Sequence, residues 1–342
     1  MIGLTYLLLG IIILYFSGEY LVSGSVALAK HLRVQPFIIA LTLVAFGTSA
    51  PELAISINSA LKNLQGITLG NIVGSNIANV LFAVPLAFLI KISKKSDVRT
   101  KDSIFLVVLT LAFSAIVFFG KNLDLIFGVL SLLLLFSYIL LILYEAKTKK
   151  RRVNISQEDE VNISALKASF LSTVGILGVV IGAEILVRGA VITAELLGIS
   201  QTIIGLTMVA VGTSIPEVAT SMIAAYRGQV NFILGAILGS NLFNILGIAG
   251  VASIISTLEV SGTLSYLDLF FLVLSSIIFL IFTVDNTKTF DVSSFVSSII
   301  LAFESVSSNL EISSSKRPCA SFAASYSAFS LKSPLSLASA IA

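Results

Sequence analysis

Two short strings carry the chemistry of this chain: Gly47-Thr48-Ser49-Ala50-Pro51-Glu52 and Gly212-Thr213-Ser214-Ile215-Pro216-Glu217. Each ends in a carboxylate set in an apolar stretch, where an ionised group is strongly disfavoured and by default marks function. On a helix, the Thr and Ser four and three residues before each Glu lie on its face. Proline lacks an amide hydrogen and clashes with the preceding turn, so it breaks the helix and releases upstream carbonyls. Ala45 and Ala210 are the carbonyls expected to be freed. Downstream, Ser75 and Asn79 are four apart and share a face, and Ser240 and Asn244 repeat that spacing. The expected ligands are therefore Glu52, Glu217, Thr48, Thr213, Ser49, Ser214, Ala45, Ala210, Ser75, Asn79, Ser240 and Asn244. All offer oxygen, which suits a hard cation such as Ca²⁺ or Na⁺ and not a softer transition metal.

These strings belong to a longer duplication. Leu41–Phe82 aligns without a gap on Leu206–Gly247, with Glu217 lying 165 positions after Glu52 and close to half the positions identical. Such self-similarity signals a repeated architecture. The same offset pairs Glu19 with Glu184, Val22 with Val187 and Gly24 with Gly189, so the copied unit is a whole half-chain.

The elements that must hold these residues are membrane helices. The chain is 56% hydrophobic and 11% charged, with mean hydropathy +1.04, far from the roughly 25% charged of globular domains. Runs near 2–22, 36–60, 67–90, 103–119, 123–144, 165–187, 201–225, 232–256 and 263–283 each approach the ~20 residues needed to cross a bilayer. The first run lacks a basic leader and a small-residue cleavage site, so it reads as a helix and not as a removable signal. Five runs form a first repeat (1–146), a charged connector follows (147–164), and four runs form a second repeat (165–285). A tenth helix is expected by symmetry. Its only candidate, Val292–Phe303, is short and serine-rich, and the tail 286–342 reads as a frameshifted or otherwise damaged C-terminus.

Lysine and arginine crowd the turns after the odd-numbered helices, among them Lys30, Lys95, Arg99, Arg151 and Arg227, whereas the opposite side holds little beyond Lys62, Lys121 and Arg188. The positive-inside rule places the crowded side and the connector in the cytoplasm and the N-terminus outside. Because five is odd, the second half enters the membrane from the other side. The fold expected is thus all-α, with two inverted five-helix repeats.

Each polar residue also has a structural role open to it. Neither Glu52 nor Glu217 has a base within two turns on its N-terminal side. Ser75 and Ser240 could simply bond their own backbone. Asn76 and Asn241 lie off the Ser/Asn face and suit interhelical hydrogen bonds. Glu19 and Glu184, near helix ends, suit polar contacts in helix packing. The single histidine, His31, falls in a basic turn at the membrane surface, and the single cysteine is Cys319. Zinc sites and disulfide frameworks are thereby excluded, and with them an intramembrane metalloprotease. The net charge of +3 is too scattered to suggest nucleic acid. A passive channel fits poorly, since pores usually form around a rotational axis and not between inverted halves.

With these residues in view, GTSAPE…GNIVGSNIAN and GTSIPE…GAILGSNLFN resemble the α-1 and α-2 repeats of the sodium/calcium exchangers, within the cation/Ca²⁺ antiporter superfamily. The likeness runs from the first residues to about 283. It implies ten helices and alternating access in the cell membrane by a single copy, with Ca²⁺ and Na⁺ as transported ions, no cofactor and no enzymatic activity. It also implies Ca²⁺ coordination by Glu52 and Glu217 with the Thr48 and Thr213 carbonyls. Na⁺ sites would involve Ala45, Ser49, Ser75, Asn79, Ala210, Ser214 and Ser240. Some relatives carry Asp where this chain has Asn244, so one local charge is absent. Helices 1 and 6, which lack ligands, are implied as the sliding gate. The alternative on the same fold is Ca²⁺/H⁺ exchange, which needs only that the two glutamates accept protons.

Overall fold

The computed structural model describes residues 2–90, 100–120, 122–148, 163–198, 212–260 and 263–284. Among them there is no strand, only a lone bridge between Leu123 and Leu258. Among the described residues seven helices are long and apolar enough to cross a membrane, and an eighth span exists if the bent pair Pro36–Thr48 and Ala50–Leu61 counts as one. The expected tenth helix and the tail lie outside the described residues, as do most of the connector and residues 201–211.

Two long helices, α1 (Ile2–Leu32) and α9 (Ala165–Leu196), form the outer layer. Both run about ten residues beyond the expected ends at 22 and 187. Polar and glycine residues that end an apolar run do not end a helix whose neighbour continues alongside it. Gly10 meets the backbone of Leu186, Gly175 meets Leu21, Gly24 meets Ser172, and Gly189 meets Leu7. Residue numbers rise on one helix as they fall on the other, so the pair is antiparallel. The contacts also map onto each other when the halves are exchanged at the 165-residue offset, which is a local two-fold relation. Small residues let the backbones approach, as in lipid, where packing and not the hydrophobic effect joins helices. The outer face of α1 presents Leu4, Leu8, Ile11, Ile12, Tyr15 and Phe16, the apolar side chains a lipid-facing surface requires.

Behind this layer the first half continues as α2 (Pro36–Ile39), a π-helical segment (Ala40–Val44), α3 (Ala45–Thr48), α4 (Ala50–Leu61), α5 (Gln65–Ala78), a second π segment (Asn79–Ala83) and α6 (Val84–Ile90). Then come α7 (Thr100–Phe118) and α8 (Leu125–Thr148). After α9 the second half gives α10 (Ile215–Tyr226), α11 (Val230–Leu242), a π segment (Phe243–Ile248), α12 (Ala249–Ile255) and α13 (Tyr266–Val284). Helix boundaries recur at the sequence offset within a residue, as for α4 and α10 or α6 and α12. Even the turns agree. Leu64 and Gln229 have φ/ψ of −95/64 and −93/63 degrees. Asn63 and Gly228 before them are left-handed, with φ of 55 and 70 degrees. Asparagine and glycine are the residues that tolerate that region.

Helix α11 is the centre. All of its residues except Asn231 are buried, and a helix buried all round, apolar but for Asn231, Ser240 and Asn241, belongs in a core. Gly235 and Gly239 let it lie against the carbonyls of Phe37 and Leu41 in the first half.

Candidate ion-binding site

Pro51 and Pro216 act differently from the sequence expectation. Each occupies the first turn of a new helix, where proline's missing amide hydrogen is not needed, and the bend falls two residues before it. Ser49 and Ser214 are the bend residues, with φ/ψ of −84/10 and −86/0 degrees. In the first half the bend is 45°. Glu52 and Glu217 therefore sit in the first turns of α4 and α10, where the positive end of the helix dipole favours a carboxylate. The Ala45 carbonyl is not left free. It accepts the Ser49 amide at 3.0 Å and the Thr48 hydroxyl at 3.4 Å. Proline at 51 releases no bond at 45, because the helix continues as far as Thr48 before it breaks.

What loosens the backbone is π geometry, which the sequence reading missed. The Ala45 amide reaches five residues back to Ala40, Val84 to Asn79, and Ala249 to Asn244. Asn79 and Asn244 thus stand on widened turns, a feature that recurs at functional sites. The widened turn at Asn79 runs into Pro85, which cannot supply the next helical amide.

The expected ligands converge. Thr48, Ser49, Glu52, Ser75 and Asn79 are buried, as are Thr213, Ser214, Glu217, Ser240, Asn244 and Ala45. Ala210 lies outside the described residues. Ser49 crosses between halves and donates to Glu217 Oε1 at 3.0 Å, and Ser240 donates to the same oxygen at 3.4 Å. Asn79 donates to Asn241 Oδ1 at 3.0 Å, and Asn241 in turn donates to the Asn76 carbonyl at 3.4 Å. Asn241 fills the expected interhelical role. The Asn76 amide instead bonds Ile72 within its own helix.

The oxygens left over define the chemistry. Among the described residues, both carboxylate oxygens of Glu52 have no hydrogen-bond partner, nor do Glu217 Oε2, Ser75 Oγ, Asn79 Oδ1, Ser214 Oγ and Asn244 Oδ1. Buried polar atoms in proteins are nearly always paired. No Lys or Arg among the described residues pairs with either glutamate: Arg227 is taken by Glu19, and Arg188 by Glu184. Glu184 pairs along its own helix with its side chain 60% exposed, so it contributes nothing to packing between helices. Two buried carboxylates without a protein cation, ringed by neutral oxygens, can hold a desolvated hard cation.

Asn71 was also missed. Its side-chain amide donates to the Glu52 carbonyl and to Ser56 Oγ, both at 3.0 Å. The repeat criterion passed over it because its counterpart is Ala236.

A profile of the family described as "Sodium/calcium exchanger protein" matches residues 2–144 and 167–305, so it fits each half once and reaches into the serine-rich tail. The chain is 31% identical over 319 residues to the sodium/calcium exchanger MaX1 of Methanosarcina acetivorans, covering 81% of this chain and 89% of that protein. It is 32% identical over 253 residues to an uncharacterised membrane protein of Methanocaldococcus jannaschii, covering 74% and 82% of the two. Among solved structures, the sodium-calcium exchanger NCX_Mj soaked with Na⁺ and Ca²⁺ superposes with a TM-score of 0.76 at 30% identity, covering 89% of this chain and 98% of that one. On the family match to both halves, this chain belongs to the sodium/calcium exchanger family.

Proposed function

We propose that this protein exchanges Na⁺ for Ca²⁺ across the cell membrane by alternating access, at one buried site shared by its two halves. The observation that carries this reading is the pair Glu52 and Glu217, both buried without a protein cation, with Ser49 at the start of the Glu52 helix bonded across to Glu217. Glu52 and Glu217, with the Thr48 and Thr213 carbonyls, are the proposed Ca²⁺ ligands. Ser49, Ser75, Asn79, Ser214, Ser240, Asn244, Ala45 and Ala210 supply the neutral oxygens for Na⁺. The Ala45 carbonyl, whose two lone pairs are taken by the Ser49 amide and the Thr48 hydroxyl, would meet an ion by giving up the longer, 3.4 Å bond from Thr48.

Coupling follows from charge. One Ca²⁺ or two Na⁺ neutralise two carboxylates, whereas a bare pair is too unfavourable to occlude in a low dielectric. The site therefore changes sides only when loaded, and the two ions compete for it. The antiparallel, two-fold packing of α1 on α9 supports inverted halves. The crowding of Lys and Arg after the odd-numbered helices supports an outside N-terminus and an inside connector. A site built from both halves of one chain supports function as a single copy.

The test is Ca²⁺ flux into vesicles under a Na⁺ gradient with pH clamped on both sides. Flux that follows the Na⁺ gradient supports the reading. Flux indifferent to Na⁺ but driven by a pH gradient replaces it with Ca²⁺/H⁺ exchange.

A further inference from the structure

Glu19 of the outer helix α1 is ion-paired with Arg227, which caps the C-terminal end of α10. Each partner has a counterpart of the same charge 165 positions away, Glu184 and Lys62. That second set is not joined. Glu184 turns to Arg188 at 2.7 Å along its own helix, and Lys62 is exposed at the end of α4. Packing divides in the same sense. Helix α1 lies along α10, with Ile223 seated on the bare Cα of Gly18, whereas α9 makes no comparable contact with α4. The α1–α9 interface obeys the two-fold relation along its length, yet the contacts that the two helices make with α10 and α4 do not.

We propose that Glu19, Arg227, Glu184 and Lys62 are positioning residues for the transport cycle, forming two ion pairs that are made in alternation. The proposal rests on the exchange reading above, in which two inverted halves trade conformations to open the site to either side. In such a trade each half takes up the other's arrangement. A contact between Glu19 and Arg227 in one state then maps onto Glu184 and Lys62 in the other. The state described here is closed at the Arg227 end and open at the Lys62 end. Arg188 holds Glu184 aside until Lys62 comes within reach.

Both sets of side chains are partly exposed, so each pair is a weak bias and not a lock. Removing one shifts the balance between the two states by up to about fivefold. That scale suits a cycle that must visit both states, because a much stronger pair would trap one of them.

The experiment uses the full chain in liposomes, with Cys319 replaced by serine and one new cysteine at a time. Ser59→Cys and Ala224→Cys are equivalent positions, each three residues before Lys62 or Arg227. Alkylation by a membrane-permeant maleimide reports how open each end is. S59C is expected to react faster than A224C. Glu19→Gln or Arg227→Gln should slow S59C and speed A224C, changing the ratio by about two- to fivefold. Glu184→Gln or Lys62→Gln should move it the other way. The double reversal E19R with R227E should restore the starting ratio. A ratio unmoved by E19Q and R227Q overturns the proposal, as does a rise at both positions together, which is what mere loosening would give. Na⁺-driven Ca²⁺ flux is measured on parallel liposomes that hold the chain without these substitutions. Flux with an unmoved ratio removes only the alternating pairs, whereas no flux removes the exchange reading beneath them.

Discussion

Ser49 in the first half donates a 3.0 Å hydrogen bond to Oε1 of Glu217 in the second half. The same Ser49 sits at the bend that starts the helix carrying Glu52. One residue thus sets the direction of its own half's carboxylate and touches the carboxylate of the other. The two glutamates are therefore parts of one site, although 165 positions separate them.

Ser49→Ala removes that bond and leaves the buried Oε1 the longer bond from Ser240, at 3.4 Å. Hydrogen bonds to charged groups contribute about 1.5–3 kcal/mol. The apparent Ca²⁺ affinity of S49A should therefore fall by roughly tenfold or more, while S214A, whose Oγ has no partner, should fall less. Ca²⁺ titration of flux in vesicles separates the two, and equal effects would contradict the bond's importance.

Glu52→Gln and Glu217→Gln keep the shape of each side chain and delete one of two charges. Divalent affinity follows ligand charge closely, so each variant should lose more than about a hundredfold in Ca²⁺ transport. Size-exclusion profiles in detergent should remain those of the parent. Ordinary transport by either variant would contradict the site.

Asn71→Ala should weaken Ca²⁺ by about tenfold, the lower end of what outer-shell partners of metal ligands contribute. Ser56→Ala should be nearly silent, because it removes only the second acceptor of the Asn71 amide and leaves the Glu52 carbonyl bonded. The check is apparent affinity read separately from maximal rate. A fall in rate alone would mean that Asn71 merely stabilises the fold.

Gly10→Ala places a methyl 2.7 Å from the Leu186 amide nitrogen, a backbone atom that cannot turn aside. Overpacking of this kind costs about 1–3 kcal/mol. Thermal unfolding in detergent should show a lower midpoint for G10A, and likewise for G175A at the two-fold-related position. Unchanged midpoints would mean that α1 and α9 pack less closely than described.

The two glutamates and their hydroxyl neighbours could be read from residue type and spacing. Duplication exposed them, because chance does not write Gly-Thr-Ser-x-Pro-Glu twice at one offset. The same criterion failed where the halves differ. Asn71 faces Glu52 but is copied as Ala236, and the ion pair of Glu19 has no joined counterpart at Glu184. Hydropathy also misjudged lengths. It ended α1 at residue 22, although Gly24 carries the helix onward against Ser172. The π turns left no mark in composition, since they arise from how neighbouring segments pack and from which amides reach which carbonyls. Pro51 was recognised as a helix breaker, but whether it ends one helix or begins the next depends on the bend at Ser49.

A π turn amounts to one residue added to an α-helix. The widened turns at Asn79–Ala83 and Phe243–Ile248 stand at matching places, with Val84 bonded to Asn79 and Ala249 to Asn244. Independent insertion at the same position twice is a far less economical history than one. The extra residue was thus already present in the ancestral half-chain before it was copied. Asn79 and Asn244, 165 positions apart on those two turns, are copies of one position in the repeated unit.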